Sequence, residues 1–489
     1  MRYLHVFFSA AITCLLFASC SGNDAEESSS GSATNTATNY GDDTSDFVSD
    51  YSVSSTIHIV WSGTSATVTG SADGVTVSNS NGYVSVSSTA KNIEYAVSGE
   101  GTGQLSIYSD YKYQLSFEGL TLSCSDGPAV NSQSSKTCYA VISGTNTLTD
   151  GSSYASSTED RKAAFFSEGQ ICFSGSGTLN VTGNYKHAVA SDDYIRLCSG
   201  TGSINLTANG SDGLHANDGI IINDGTLTIH AAGEGIQCDT SSVVITGGTV
   251  HVTSGEKGIL AYGNIEISGG TITAICSGSS SSSNTPEGIE AKGTITISGG
   301  YIYAQAYDDA INAAGDLTIS GGYVMAYSTG NDGLDANGNC YIKGGVVYAI
   351  GASSPEVALD ANTEGGKTLY VQGGMLVAIG GLENGASLSQ TCYSTTASTN
   401  TWYALSGDNG TFAFKTPSSL KTTTMVVSTS GSTSLKSSVS ASGSSILNGY
   451  AYSGASVSGG SSVTLSSYTG GNGGGPGGGP GGGGRPGER

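Results

Sequence analysis

The sequence predicts an all-β chain, a right-handed parallel β-helix followed by a C-terminal β extension. Three observations lead there. One short phrase recurs, as in DGLDANGNCYIKGGVVYAIG from Asp332 and EGIEAKGTITISGGYIYAQA from Glu287. Within each copy, apolar and polar residues alternate with the period of a strand. Glycine supplies 75 of the 489 residues while only 11% are charged, a composition that favours short strands joined by turns over long surface helices.

The chain begins with MRYLHVFFSAAITCLLFAS, which has one basic residue, an apolar run and small residues before Cys20, the shape of a secretory signal over residues 1–19. The stretch ending at Cys20 resembles a bacterial lipobox, and the resemblance implies a lipidated Cys20 at the mature N-terminus and a place in the cell envelope. Phe17 stands where that motif usually has a smaller aliphatic residue. Residues 20–50 are polar, acidic and aperiodic, the composition of a flexible tether. Lys and Arg number 17 against 39 Asp and Glu, a net charge of −22. Nucleic-acid backbones and anionic membranes are therefore poor partners, membrane contact is expected only through the N-terminal lipid, and divalent cations are the natural counter-charge.

The repeat occupies residues 51–386. Aligning on a small residue followed by a large aliphatic one gives anchors at Ala188, Gly213, Gly235, Gly258, Gly288, Ala310, Gly333 and Ala358, with Ala164 an earlier member. Their spacings cluster at 22 to 25, and the one longer gap holds the loop-like insertion SGSSSSSNTP. Each unit has too little apolar surface to fold alone, so neighbours must stack, and this length fits one turn of a parallel β-helix. A β-propeller blade needs about 40 residues. The glycine pairs at 269/270, 299/300, 321/322, 344/345 and 373/374 mark a corner where a side chain would obstruct the next coil. Stacked coils lie about 4.8 Å apart, so equivalent side chains form ladders and chemistry should be read down columns. Right-handedness follows the general rule for parallel crossovers.

One column is acidic. Immediately before the anchor stand Asp212, Glu234, Lys257, Glu287, Asp309 and Asp332, and two places after it stand His215, Gln237, Leu260, Glu290, Asn312, Asp335 and Asp360. Stacked carboxylates repel, by about 1 kcal/mol at 4 Å in bulk water and more as the dielectric falls. Lys257 offers relief between Glu234 and Glu287. Elsewhere the cluster Asp308, Asp309, Asn331, Asp332, Asp335, Asn337, Asp360 and Asn362 has the hard oxygen character that suits Ca²⁺. A weaker cluster comprises Asp192, Asp193, Asp212, Asn217, Asp218 and Asp239. Ca²⁺ held between adjacent coils, with Glu287 and Glu290 also in its column, is set against acids that merely solubilise turns. His215 is expected at the surface, and Cys238 and Cys340 occupy columns of core residues, as buried thiols would.

The coil phrase DGLHANDGIIINDGTLTI, the downstream EGIEAKGTITISGGYIYAQAYDDAINAAGDLTISGG and the upstream GLTLSCSDGPAVN resemble a bacterial family of carbohydrate-binding, polysaccharide-lyase-like right-handed β-helices, over roughly Tyr51 to Gly381. The resemblance implies calcium between coils, extracellular placement and affinity for cellulose and acidic pectin-type sugars. Aromatic residues offer a sugar-stacking surface independently of that likeness: Tyr301, Tyr303, Tyr323 and Tyr348 are expected to face outward beside the glycine corner, with Met325, and Tyr341 pairs with Tyr370 in the next coil. Tyrosine pairs also stabilise sheets without any ligand. The rival reading is a calcium-dependent pectate-type lyase, which needs an unprotonated base, with Lys257, Lys292, Lys343 or Arg196 as candidates. The acids beside Lys257 and Lys292 raise an ammonium pKa, the wrong direction for a base. A structural surface adhesin is a further alternative. Residues 387–468 read as additional β structure, and residues 469–489, rich in glycine and proline, as a disordered tail.

Overall fold

The computed structural model describes residues 46–279 and 285–470. The signal, the lipobox with Cys20, most of the tether and residues 471–489 of the tail lie outside these residues. About 55% of the chain is strand and 2% helical, and parallel strands stack into a β-solenoid of about 11 turns. Among the described residues no helix is long and apolar enough to cross a membrane.

Each full coil contributes three strands, and the coils line up into three faces. The first face carries the anchor motif as short strands Leu214–Ala216, Ile236–Cys238, Ile259–Ala261, Ile289–Ala291, Ile311–Ala313 and Leu334–Ala336. The second runs through Gly219–Ile222, Val243–Ile245, Ile265–Ile267, Ile295–Ile297, Leu317–Ile319, Cys340–Ile342 and Leu369–Val371. The third includes Thr226–Ala231, Thr249–Ser254, Thr271–Cys276, Tyr301–Ala306, Tyr323–Ser328, Val346–Ile350 and Met375–Ile379.

Register is strict. On the first face Leu214, Ile236, Ile259, Ile289, Ile311 and Leu334 pair in one unbroken parallel column. On the second, Ile265, Ile295, Leu317, Cys340 and Leu369 do the same, and all five are fully buried. Burying each such aliphatic side chain stabilises the stack by about 1.5–3 kcal/mol. Cys238 lies in the alanine column between Ala216 and Ala261, and all eight described cysteines are buried free thiols.

The glycine corner turns the chain from the second face to the third. Gly300 has φ +89°, a left-handed conformation that costs a side-chain-bearing residue. At Gly299 the constraint is steric, because a Cβ there would lie 2.2 Å from the Ser268 carbonyl oxygen in the preceding coil. At the end of the long gap in the repeat, Thr285 contacts Lys257 of the first face through its carbonyl and hydroxyl.

Antiparallel strands close both ends. Ser55–Gly63 pairs with Ser65–Thr69 at the start, and Thr424–Ser428 pairs antiparallel with Met375–Ile379 at the finish. Beyond the solenoid, Trp402–Gly407, Gly410–Lys415, Ser434–Ile446 and Ala451–Ser462 form a small closed barrel. Its apolar side, including Leu405, Phe412 and Phe414, packs on the third face over Tyr303, Met325, Tyr348 and Val377.

The end of the tether is also docked. Asp46 makes a buried ion pair with Arg196 at 3.0 Å, the Arg196 guanidinium lies 4.8 Å from the ring centroid of Phe47, and Tyr51 packs on Tyr139 at 5.0 Å.

Candidate functional site

Two columns on the first face hold the charge. Backbone hydrogen bonds from each anchor to the residue preceding the next one fix the first column as His187, Asp212, Glu234, Lys257, Glu287, Asp309 and Asp332. Strand pairing fixes the second as His215, Gln237, Leu260, Glu290, Asn312 and Asp335, and the Leu334–Leu359 bridge extends it to Asp360. Asp212, Lys257, Glu287, Glu290, Asp309 and Asp332 are all buried.

Three segments of this ladder handle their charge differently. In the middle, the Lys257 ammonium lies 2.7 Å from Glu287 Oε2 and 2.7 Å from Glu290 Oε2. It also donates to the Thr285 carbonyl at 2.9 Å and hydroxyl at 3.1 Å. Lys257 thus acts as a cation coordinated by four oxygens and tethered to the chain. Burial works against its charge, yet the two glutamates carry its pKa above the ordinary value. Glu287 is pushed up to about 8 by burial and by Glu290. Lys292 binds the other oxygen of Glu290.

Toward the C-terminal end no base intervenes. Asp332, Asp335 and Asp360 each bring a carboxylate oxygen within 4.8 Å of the others. Asp309 lies beside them in the ladder, and its carboxyl is pushed up to about 10 by burial and then by Asp335, Asp308 and Asp332. Asp332 is pushed up to about 7 by burial, against a hydrogen bond from the Val357 amide, and Asp360 to about 9 by burial and its contact with Glu383. The Oδ1 of Asn312, one coil before Asp335, is buried with no hydrogen-bond partner. All these donors are oxygens.

Near the start of the ladder Asp212 meets two imidazoles rather than a set of oxygens. Its Oδ2 lies 3.0 Å from His187 Nδ1 and 2.9 Å from His215 Nδ1. His215 is buried, not at the surface as expected, because its ring stacks on His187 with centroids 4.2 Å apart. The column signal was present in the sequence, where His187 precedes Ala188 as Asp212 precedes Gly213.

The remaining expected ligands disperse. Asp308 accepts a hydrogen bond from Asn331 at 2.6 Å. Asn362 turns back on the Gly365 amide at 2.7 Å, Asn337 is exposed, and Asp218 is exposed and accepts from Thr240 at 3.1 Å. Asp192 pairs with Lys162 at 2.7 Å, and Asp193 accepts from Gln170 at 2.6 Å.

The aromatic surface divides in two. Tyr303 and Tyr348 point away from the solenoid core, but they and Met325 are fully buried beneath the barrel, so they offer no sugar an exposed ring. Tyr301 and Tyr323 are half-buried and stack at 5.4 Å, with Tyr323 also 6.2 Å from Phe412 of the barrel. On the second face the Tyr341 and Tyr370 rings stack almost parallel, 5.0 Å apart at 5°, and the Lys343 ammonium lies 4.7 Å from the Tyr341 ring centroid. Lys343 also rims a cleft of 460 Å³ floored by Gly344 and Gly345 and walled by Tyr323 and Phe412. This cleft joins solenoid to barrel. Sequence reasoning missed it because its second wall comes from a region distant in the chain.

The solenoid matches a family described as carbohydrate-binding domain-containing proteins over residues 80–333. The chain belongs to that family. The matched region holds the imidazole and lysine segments of the ladder and ends just after Asp332, so Asp335, Asp360 and the barrel extend beyond it. None of the curated proteins compared with this chain matches it. Among solved structures, the polysaccharide lyase-like protein from C. thermocellum, a gadolinium derivative, is 20% identical, with a TM-score of 0.37 over 60% of this chain and 99% of that one.

As for the candidate bases, Arg196 is buried against Asp46, and Lys257 and Lys292 are paired with glutamates. Lys292 and Lys343 are both exposed, and of the two only Lys343 lies beside the aromatic cleft.

Proposed function

We propose that this member of the carbohydrate-binding domain family is a non-catalytic polysaccharide receptor, lipid-anchored at the cell envelope, that binds cellulose or acidic pectin-type glycans. The observation that carries the reading is the parallel, stacked Tyr341–Tyr370 pair with Lys343 over the Tyr341 ring. Rings stacked on successive coils form an aromatic patch with hydroxyls at its edge, against which the C–H face of a pyranose can pack. The Lys343 ammonium adds a charge-assisted hydrogen bond for a uronate carboxylate. On a chain of −22 such a local cation counters the repulsion of a polyuronate.

Calcium belongs to the same reading. Asp332, Asp335 and Asp360 would hold it, with Asp309 and the unpartnered Asn312 Oδ1 beside them, a donor set of the kind Ca²⁺ takes. The oxygen-coordinated ammonium of Lys257 is the fit test, because the same ladder already accommodates a positive charge between coils. Bound Ca²⁺ would supply charge neutralisation and tie adjacent coils together.

A lyase would require a base free of its proton. Glu287 and Glu290 oppose that at Lys257, and Asp46 holds Arg196 in an ion pair. The test is retention on insoluble cellulose and on immobilised polygalacturonate. Tyr341→Ala with Tyr370→Ala is expected to lose retention on both supports, and Lys343→Gln to weaken only the second. Unchanged retention in the tyrosine double variant would refute the assignment.

A further inference from the structure

The three ladder positions of the lysine segment recur at the start of the ladder with other residues. Lys257, Glu287 and Glu290 occupy the first column in one coil and both columns in the next. His187, Asp212 and His215 occupy the equivalent three positions. Where the middle segment holds an ammonium between two carboxylates, the early segment holds two imidazoles against one carboxylate.

The tautomers of His215 do not account for its contacts. Its Nδ1 lies 2.9 Å from Asp212 Oδ2 and its Nε2 lies 3.3 Å from Asp239 Oδ2. A neutral imidazole has one N–H and one lone pair. One of those contacts therefore sets a lone pair against a carboxylate oxygen, unless a second proton or a metal ion stands between them. The far atoms are also anchored as metal ligands are. Asp239 faces the outer nitrogen of His215, and the other oxygen of Asp212 accepts from the Ser211 hydroxyl at 3.0 Å and the Glu234 amide at 3.1 Å. Such partners orient ligands and fix the imidazole tautomer.

We infer that His187 Nδ1, Asp212 Oδ2 and His215 Nδ1 form a binding site for a borderline divalent cation of the Zn²⁺ or Co²⁺ class. The three atoms lie within 4.8 Å of one another, and the three side chains are 3 to 9% exposed. Two nitrogens and one carboxylate oxygen suit such ions, whereas Ca²⁺ takes oxygens alone. Four-coordinate geometry places donors about 3.3 Å apart for bonds of about 2.0 Å, so the site opens by a few tenths of an ångström on binding. The ion displaces any proton on the two Nδ1 atoms, and each imidazole then carries its one proton on Nε2, facing Asp239 in the case of His215. The site lies several coils from the oxygen cluster at Asp335, so the chain has two classes of cation site on one ladder.

The experiment is a Co²⁺ titration of the untagged full chain after chelation, followed by visible absorption. One equivalent should produce a ligand-field band that Zn²⁺ abolishes and excess Ca²⁺ does not. His215→Gln and Asp212→Asn should remove the band. Asp239→Asn, which alters only the outer partner, should weaken Co²⁺ about 10- to 100-fold while the chain stays folded by circular dichroism, and Asp335→Asn should leave the band intact. The absence of a band in the unmodified protein would overturn the site and leave a protonated His–Asp–His cluster in its place. A band that survives His215→Gln would assign the ion to other ligands, such as the cysteines, and overturn it equally.

Discussion

The middle and the C-terminal end of the acidic ladder are the same structure with one difference. Both stack carboxylates between coils in unbroken register; Glu287, Glu290, Asp309 and Asp332 are buried, and Asp335 and Asp360 half-buried. In the middle, the positive charge arrives on a side chain, Lys257, with oxygens from Glu287, Glu290 and Thr285 around it. At the end, Asp309, Asp332, Asp335 and Asp360 converge with no base among them, and their carboxyls are pushed upward by burial and by each other. The contrast is between a coil interface whose counter-charge is built in and one whose carboxyls must hold protons or, in the calcium reading proposed above, would recruit an ion.

The largest expected effect follows from removing the built-in one. Lys257→Met leaves Glu287 buried without its cation and Glu290 with Lys292 alone, and breaking a buried pair from one side costs about 3–5 kcal/mol. Urea unfolding should show that loss. If the middle and the end are equivalent, Lys257→Ala, which also vacates space, should recover part of its stability when Ca²⁺ is added. A variant as stable as the parent, or one indifferent to Ca²⁺, would separate the two segments.

The next effect concerns the end of the ladder. At a Ca²⁺ concentration 100 times its dissociation constant, binding stabilises the fold by about 2.7 kcal/mol, and Asp335→Asn should abolish that gain in a thermal melt. The gain should also depend on pH. Without calcium, the folded chain keeps protons on Asp332, Asp360 and Asp309, pushed up to about 7, 9 and 10, that the unfolded chain releases nearer its ordinary carboxylate pKa. Stability of the chelated protein therefore falls as pH rises through that window. Calcium competes with those protons, so the difference between loaded and chelated melting temperatures should widen from mildly acidic to mildly alkaline buffer. A difference independent of pH would place the ion elsewhere.

Much of this was legible in the sequence because coil register is local information. The anchors, spaced 22 to 25 residues apart, assign each acid to its column, and strand pairing confirms every step from His215 to Asp335. Tyr303 and Tyr348 mark the limit. Alternation correctly points both away from the solenoid core, but nothing local announces that Phe412 and Phe414, more than 60 residues onward, cover them. A clue lay in the same face, where Met325, Ile350, Val377 and Ile379 are too apolar for a surface bathed in water. The imidazole cluster was missed for another reason. Taken alone in the sequence His215 looks like a surface residue, whereas its surroundings come from His187 and Asp212 in the column and from Asp239 in the following turn.

The smallest effect sharpens the comparison most finely. Thr285, two residues before Glu287, gives Lys257 both a carbonyl at 2.9 Å and a hydroxyl at 3.1 Å. Thr285→Val keeps the β-branched shape and the carbonyl and deletes only the hydroxyl. Because the ammonium retains three oxygens, the expected loss is about 0.5–1.5 kcal/mol, the net worth of one hydrogen bond. If the tethered cation needs a full oxygen shell, as a metal ion does, the loss should approach that of a charged-group hydrogen bond, about 1.5–3 kcal/mol. Denaturant midpoints of the two proteins at equal slope distinguish these values. The larger loss would make Lys257 a surrogate ion whose coordination is completed by Thr285, and the smaller would make it a salt bridge that happens to have a hydroxyl nearby.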